Sequence, residues 1–264
     1  MKNNLFDLSG RVALVAGGSS GLGLQFAKAM ANAGADVAIV ARRTDKLEEN
    51  AKQISDEYGV EVYPHYIDLR DAASVTACVE DVVKHFGKID ILVNAGGVGG
   101  SGDPATLTDE QWYYVVDTDL TGLFRLCREV ARLSMIPNNY GRIVNVSSIH
   151  GFVSRKHVWT APYCAAKGGV QMMTKALAND WGKYNITVNC ICPGYVVTPL
   201  NEEFFIDKDG NPTDYYKQQS KATSARRLGT IEEIAGPVLA MCSDSFNYMT
   251  GTYLLCDGGQ SIPA

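Results

Sequence analysis

Residues 11–23 read RVALVAGGSSGLG. A valine-rich apolar run stops on glycines, and a helical pattern follows at once over 21–33. Strand, glycine turn, helix is the opening unit of a parallel α/β sheet that binds a dinucleotide. Gly17, Gly21 and Gly23 give the spacing G-x-x-x-G-x-G. Glycine permits the tight turn and lets backbone approach a phosphate. The helix that follows aims its unpaired N–H groups and positive dipole end at the same place. Ser19, Ser20 and Leu22 fill the turn and fall within the candidate cofactor site. An ordinary tight β–α turn is the alternative reading of these residues alone.

The same rhythm repeats outward from this stretch. Apolar runs lie at 36–42, 61–68, 89–96, 141–148, 186–194 and 252–259. Between them, apolar residues recur at three- and four-residue steps over 44–58, 71–86, 109–135, 163–182 and 231–243. Alternating strands and helices predict a doubly wound parallel sheet with helices on both faces. No linker, repeat or low-complexity tract interrupts the 264 residues, so one domain is expected. Residues 195–228 break the rhythm as a long excursion after the sixth strand. They carry aromatic pairs, Phe204–Phe205 and Tyr215–Tyr216, and the turn signal DGNP. Such excursions in compact domains serve function or mobility, and a substrate lid is expected here.

Composition excludes several classes. A hydrophobic fraction of 46% and a net charge of −5 describe a globular chain without a basic patch for nucleic acid. No apolar run reaches the ~20 residues of a membrane span. The first residues show no signal-peptide pattern, so a cytoplasmic protein is expected. Seven cysteines and four histidines show no metal-ligand spacing. Cys190 and Cys192 stand on one face of a strand and read as buried thiols.

The second strand ends in Ala41, Arg42 and Arg43. An acidic residue here would hold both ribose hydroxyls of the adenosine half and repel a 2′-phosphate. Guanidinium groups suit that phosphate, which favours NADP(H) over NAD(H). Ser20 weighs against this, since a basic residue in the glycine turn would be a second phosphate ligand. NAD(H), with both arginines as solvated surface charges, stays open. Further on, TAPYCAAKGG (160–169) places Tyr163 and Lys167 one helical turn apart on one face.

These stretches together resemble the short-chain dehydrogenase/reductase family over essentially the whole chain. The matching motifs are GGSSGLG, HYIDLRD, DILVNAGG, GRIVNVSSIHG, YCAAK, CICPGYVVTP and YMTGTYLLCDGG, in the family's order. The resemblance implies a seven-stranded Rossmann fold, a nicotinamide cofactor, reversible hydride transfer between alcohol and ketone, and a homotetramer. By position, Asp68 and Leu69 would contact adenine. Asn94, Ala95 and Gly96 would line the cofactor, with Ala95 where the family more usually has a second asparagine. Pro193, Gly194, Val196 and Thr198 would hold the nicotinamide carboxamide. Ser148, Tyr163 and Lys167 match the catalytic residues, with Tyr163 and Lys167 also touching the cofactor.

The departure is Asp119, a carboxylate where the family pattern has an asparagine of the proton relay. Either the relay survives with Asp119 accepting from water, or Asp119 caps or pairs locally. An unperturbed phenol, with a pKa of ~10, is a poor base at neutral pH. Lys167 and an oxidised nicotinamide are expected to lower it. Around the site, the loop 149–162 offers His150, Arg155, Lys156, His157 and Trp159. These suit a carboxylate or a polyhydroxylated substrate, and the chain most resembles sugar-acid members such as gluconate 5-dehydrogenases. The lid aromatics suit an apolar ring system, as in hydroxysteroid or bile-acid dehydrogenases. A 3-oxoacyl substrate and a non-catalytic NAD(P)-binding regulator remain alternatives.

Overall fold

The computed structural model describes residues 5–154, 160–199 and 201–262. Its strands are β1 (Val12–Ala16), β2 (Asp36–Ala41), β3 (Val62–Tyr66), β4 (Ile91–Asn94), β5 (Gly141–Val146), β6 (Ile186–Pro193) and β7 (Tyr253–Cys256). They form one seven-stranded sheet in the order β3-β2-β1-β4-β5-β6-β7. Every pairing is parallel, as alternation with helices requires. The order reverses beside β1, and a crevice opens there beyond the carboxyl ends of β1 and β4.

The helices are α1 (Gly21–Asn32), α2 (Thr44–Tyr58), α3 (Ala72–Phe86), α4 (Asp109–Val116), α5 (Gly122–Val130), α6 (Ala161–Trp181), α7 (Glu202–Phe205), α8 (Asp214–Ala222) and α9 (Ile231–Cys242). Along β1, Ala13 and Val15 pack toward α1, α2 and α9, while Leu14 and Ala16 pack toward α3, α5 and α6. This two-sided burial is why the strands read as continuous apolar runs rather than alternating ones. Local signals set the helix ends. Asp71 caps α3 by accepting from the Ala73 N–H, and Gly87, at φ 80°, ends it in the left-handed region. Thr108 with Gln111, and Thr230 with Glu233, form capping boxes on α4 and α9.

The expected helix 109–135 is one helical path with two π turns, at Asp117–Thr121 and Ala131–Met135. Each π turn admits an extra residue and rotates the face that follows. Before the first turn the path packs on α6; after it, α5 packs on α3 and β4. Gly122 makes the change of neighbour possible, because a Cβ there would lie 2.6 Å from the Leu69 side chain and carbonyl.

Residues 195–228 are ordered into α7 and α8, joined through an antiparallel bridge between Ile206 and Pro212. A second bridge, Val196 to Gly229, holds the two ends of the excursion side by side. No helix among the described residues is long and apolar enough to cross a membrane.

Candidate active site

The glycine turn closes between β1 and α1. Gly17 has φ 80°, and a Cβ on it would sit 2.8 Å from the Ala95 carbonyl oxygen. A Cβ on Gly23 would meet the Gly17 carbonyl oxygen at 2.3 Å, so the helix can start this close to the turn only without a side chain. Asn50, on α2, donates from Nδ2 to the carbonyls of Gly18 (3.3 Å) and Ser19 (3.2 Å) and pins the turn from behind. Leu22 packs into the core, so it offers the crevice backbone rather than side chain.

The start of α1 fits a phosphate. Its N-cap, Ser20, makes no side-chain capping bond, and the first turn holds no acidic residue. The first N–H groups and the helix dipole therefore face the crevice without a competing anion. Arg43 reaches across from the end of β2. Its Nη2 donates to Ser19 Oγ at 2.9 Å and Ser20 Oγ at 2.6 Å. One guanidinium and two hydroxyls thus converge beside the turn. Arg42 lies within electrostatic reach of Asp68. Asp68 itself pairs with Arg70 at 3.2 Å, and Leu69 is buried beneath Gly96.

The carboxyl ends of β4 and β6 supply the rest of the rim. Asn94 is fully buried and donates to the Leu123 carbonyl (3.1 Å) and to Asn145 Oδ1 (3.2 Å). Its side chain ties β4 to α5 and β5, which leaves Ala95 and Gly96 to line the crevice. After β6, Pro193 and Gly194 lead into a turn held by two amides that the sequence did not single out. Gln260 Oε1 accepts from the Tyr195 N–H at 2.9 Å, and Asn201 Oδ1 accepts from the Thr198 N–H at 2.8 Å. Asn201 Nδ2 also donates to the Val196 carbonyl at 3.0 Å. Thr198 and Pro199 lie over Gly21, within 3.8 Å of where its Cβ would be. The root of the lid and the glycine turn therefore face each other across the crevice.

Ser148, Tyr163, Lys167 and Asp119 come together between these walls. Ser148 follows β5 and hydrogen-bonds Tyr163. Tyr163 and Lys167 rise one turn apart on α6, with Lys167 Nζ 5.5 Å from the phenol ring centre. Lys167 is buried and donates to the Val146 carbonyl at 3.1 Å. Its Nζ also lies 3.1 Å from Asp119 Oδ2. Asp119 sits in the first π turn with no exposed surface, and its Oδ1 accepts from the Val98 N–H at 2.7 Å. Gln171, a turn beyond Lys167, donates to the Ser148 carbonyl at 3.2 Å and steadies the end of β5.

The protein's own groups do not lower the phenol pKa. Burial pushes Tyr163 up; Lys167 pulls it down, Asp119 pushes it up again and the bond from Ser148 helps to lower it. The net direction is upward. Burial likewise raises Asp119 above the usual carboxylate range, against the pull of Lys167 and the Val98 N–H. For Lys167, burial favours the neutral amine, but Asp119 and Tyr163 outweigh it and the ammonium is retained.

Other expectations resolve differently. Gly168 and Gly169 do bring α6 close to a neighbour, but within this chain. A Cβ on Gly168 would lie 3.1 Å from the Gly151 carbonyl oxygen, and one on Gly169 would lie 2.7 Å from Leu120. Most aromatics of the 195–228 excursion form a small core of its own, while Phe204 is 58% exposed. Phe205 is 1% exposed and stacks on Tyr215 at 5.4 Å between ring centres, while Tyr195 and Tyr216 close around it edge-on. Among the described residues, the ring that packs on Tyr163 is an imidazole. The His150 ring lies 6.2 Å from that of Tyr163 and 6.1 Å from that of Tyr195, and the Tyr195 and Tyr215 hydroxyls bond at 3.1 Å. Arg155, Lys156, His157 and Trp159 lie outside the described residues.

Known proteins share this sequence and fold. The family model described as enoyl-(acyl carrier protein) reductase matches residues 16–261. Gluconate 5-dehydrogenase of Gluconobacter oxydans is 33% identical over 98% of this chain and 98% of its own length. The monensin polyketide synthase putative ketoacyl reductase of Streptomyces virginiae is 39% identical over 94% of this chain and 96% of its own. The crystal structure of a gluconate 5-dehydrogenase from Burkholderia cenocepacia, in complex with NADP and tartrate, superposes with a TM-score of 0.91. It shares 32% identity and covers 99% of both chains. The chain belongs to the short-chain dehydrogenase/reductase family.

Proposed function

We propose that this chain is an NADP(H)-dependent oxidoreductase that interconverts a secondary alcohol and a ketone, with Tyr163 as the general acid and base. Its substrate is a small polyhydroxylated molecule, a sugar acid or a polyol. The observation that carries the reading is the convergence of Ser148, Tyr163 and Lys167, in a chain whose α1 begins on an uncapped glycine turn. Bound there, a nicotinamide supplies or accepts the hydride.

The chain's own residues then manage the proton. In reduction the Tyr163 phenol gives its proton to the carbonyl oxygen as that oxygen gains charge, and in oxidation the phenolate takes the hydroxyl proton back. Ser148 donates to the same oxygen and stabilises it in the crowded state between. Lys167 steadies the phenolate and is placed to reach the ribose hydroxyls of the cofactor.

Cofactor choice rests on Arg43. Its guanidinium, held against Ser19 and Ser20, suits a 2′-phosphate, and the Burkholderia relative was solved with NADP. The substrate class rests on the lid. A steroid needs a broad apolar wall, yet of the two phenylalanines in the excursion Phe205 is buried in its own small core and Phe204 alone is exposed, and the ring packed against Tyr163 is the His150 imidazole. Gluconate and tartrate in the names of relatives point the same way. The ketoacyl relative keeps a 3-oxoacyl thioester as the second reading.

A panel of sugar acids, polyols, hydroxysteroids and 3-oxoacyl thioesters, followed by nicotinamide absorbance with both cofactors, tests these assignments. Turnover of a sugar acid or polyol with NADP(H) is expected. In Arg43→Ala the Kd for NADP(H) should rise about 10- to 100-fold, the loss of one or two charge-assisted bonds, with little change for NAD(H). Equal weakening of both cofactors would show that Arg43 reads no 2′-phosphate. Cofactor binding without turnover of any panel member would favour a regulatory role.

A homotetramer belongs to the same proposal. Tyr253, Leu254 and Leu255 on the edge strand β7 are 42%, 37% and 43% exposed, and Met172 on α6 is 63% exposed. Apolar groups on an open strand edge call for a cover. Sedimentation equilibrium is expected to give about four times the chain mass; a monomer would contradict the assembly.

A further inference from the structure

A buried carboxylate beside the catalytic lysine alters the charge that the tyrosine feels. We propose that Asp119 is a positioning residue that neutralises Lys167 and so keeps Tyr163 a phenol through neutral pH, ready to donate its proton to a ketone. The inference rests on the acid–base role given to Tyr163 above.

The geometry gives the carboxylate little freedom. Its Oδ1 is held by the Val98 N–H at 2.7 Å, and its Oδ2 lies 3.1 Å from Lys167 Nζ. The Gly97 backbone passes so close that a Cβ there would be 3.1 Å from Oδ2. The path just after Asp119 is fixed by Leu120 against Gly169 and by Gly122 against Leu69. Neither Asp119 nor Lys167 has more than 4% of its surface exposed, so water does little to screen them. At this separation an ammonium and a carboxylate act on a neighbour as a dipole, whose field falls off faster than that of a lone cation. Lys167 therefore holds a phenolate on Tyr163 less well than it would beside an asparagine.

Other groups face the pair as well. The His150 ring packs edge-on against Tyr163 from the turn after β5, and Ser148 bonds it from the same segment. Cys164 adjoins it on α6, while Cys190 lies behind Lys167 on β6, 3.8 Å from Cys192 sulfur to sulfur. All of these remain in Asp119→Asn, so a comparison with the parent isolates the carboxylate.

The consequence is a pH window. Ketone reduction needs the phenol and finds it over the neutral range. Alcohol oxidation needs the phenolate and should climb as pH rises. Without Asp119 both limbs move toward lower pH.

The test is a titration of Tyr163 in the cofactor-free protein, by NMR of ring-carbon-labelled tyrosine, with its signal assigned by its loss in Tyr163→Phe. In Asp119→Asn the resonance should titrate about one to three pH units below the parent. The acid limb of alcohol oxidation should move in the same direction. Asp119→Ser, which removes charge without matching shape, is measured beside it, so that either folded variant decides the outcome. An unmoved or raised titration point overturns the proposal. If Tyr163→Phe keeps full turnover, the acid–base reading itself fails; if it is inactive while the titration stays put, the role of Asp119 alone falls.

Discussion

Tyr163→Phe slows turnover by about 10²–10⁴-fold while the protein stays folded and binds NADP(H) within a few-fold of the parent. That range is what a positioned proton donor contributes to a rate. The ring stays, so its edge contact with His150 is kept. What leaves is the hydroxyl and its bond to Ser148, worth about 0.5–1.5 kcal/mol of stability. Steady-state kinetics in both directions, with fluorescence titration of the reduced cofactor, separate the two effects. A variant within tenfold of the parent's kcat would remove Tyr163 from the proton path. The remaining candidate in contact would then be His150.

Lys167→Met is expected to damage stability as well as activity. The substitution keeps an apolar stem in a buried slot but leaves the Asp119 carboxylate without its counter-charge, with the Val98 N–H as its recorded donor. Breaking a buried ion pair from one side costs about 3–5 kcal/mol. The loss has a pH signature. Without Lys167, burial raises Asp119 further above its unfolded value, so the folded protein takes up a proton there. A group raised in this way contributes stability that is present at low pH and lost as pH rises through its folded pKa. The deficit of Lys167→Met should therefore be small in acid and largest at neutral pH and above.

Adding Asp119→Asn should recover part of that stability, by a coupling of about 0.5–3 kcal/mol, while turnover stays low. Thermal unfolding across pH, on the two single variants and the double, measures this. Additive losses would mean that the 3.1 Å contact carries no net interaction.

The outline of the fold was legible because burial on both faces leaves a signature. Each apolar run from 11–17 to 252–259 contains a strand of the sheet. The strands are shorter than the runs: β4 spans Ile91–Asn94 within 89–96, and β7 spans Tyr253–Cys256 within 252–259. Residues such as Gly96, Gly258 and Gly259 belong to turns, and hydrophobic pattern alone does not mark where pairing stops. The π turns were hidden because three- and four-residue periodicity averages over one extra residue. They matter, since the first of them carries Asp119.

Within the site, the side chains proposed to carry the chemistry stood in motifs with fixed spacing, as Tyr163 and Lys167 did. Side chains that hold those motifs in place did not. Asn50 and Gln260 reach the glycine turn and the turn after β6 from elsewhere in the chain, Asn201 closes the latter from within, and a lone amide leaves no pattern. Four aromatics in a polar segment read as one apolar wall, but the structure divides them: Phe205 is buried against Tyr215 and Tyr216 in the segment's own small core, while Phe204 is 58% exposed.

The bridge between Val196 and Gly229 has a meaning for how such a protein diversifies. Because the excursion leaves and rejoins the body at adjacent points, its interior can lengthen, shorten or be exchanged without moving the strands that carry Ser148 or the helix that carries Tyr163. Closing a longer loop between fixed ends adds only about 0.6 kcal/mol for each doubling of its length. Residues 202–228, beyond the turn that Thr198 and Asn201 hold, are therefore a cassette plugged into a constant socket, whose length can change while Ser148 and Tyr163 keep their places.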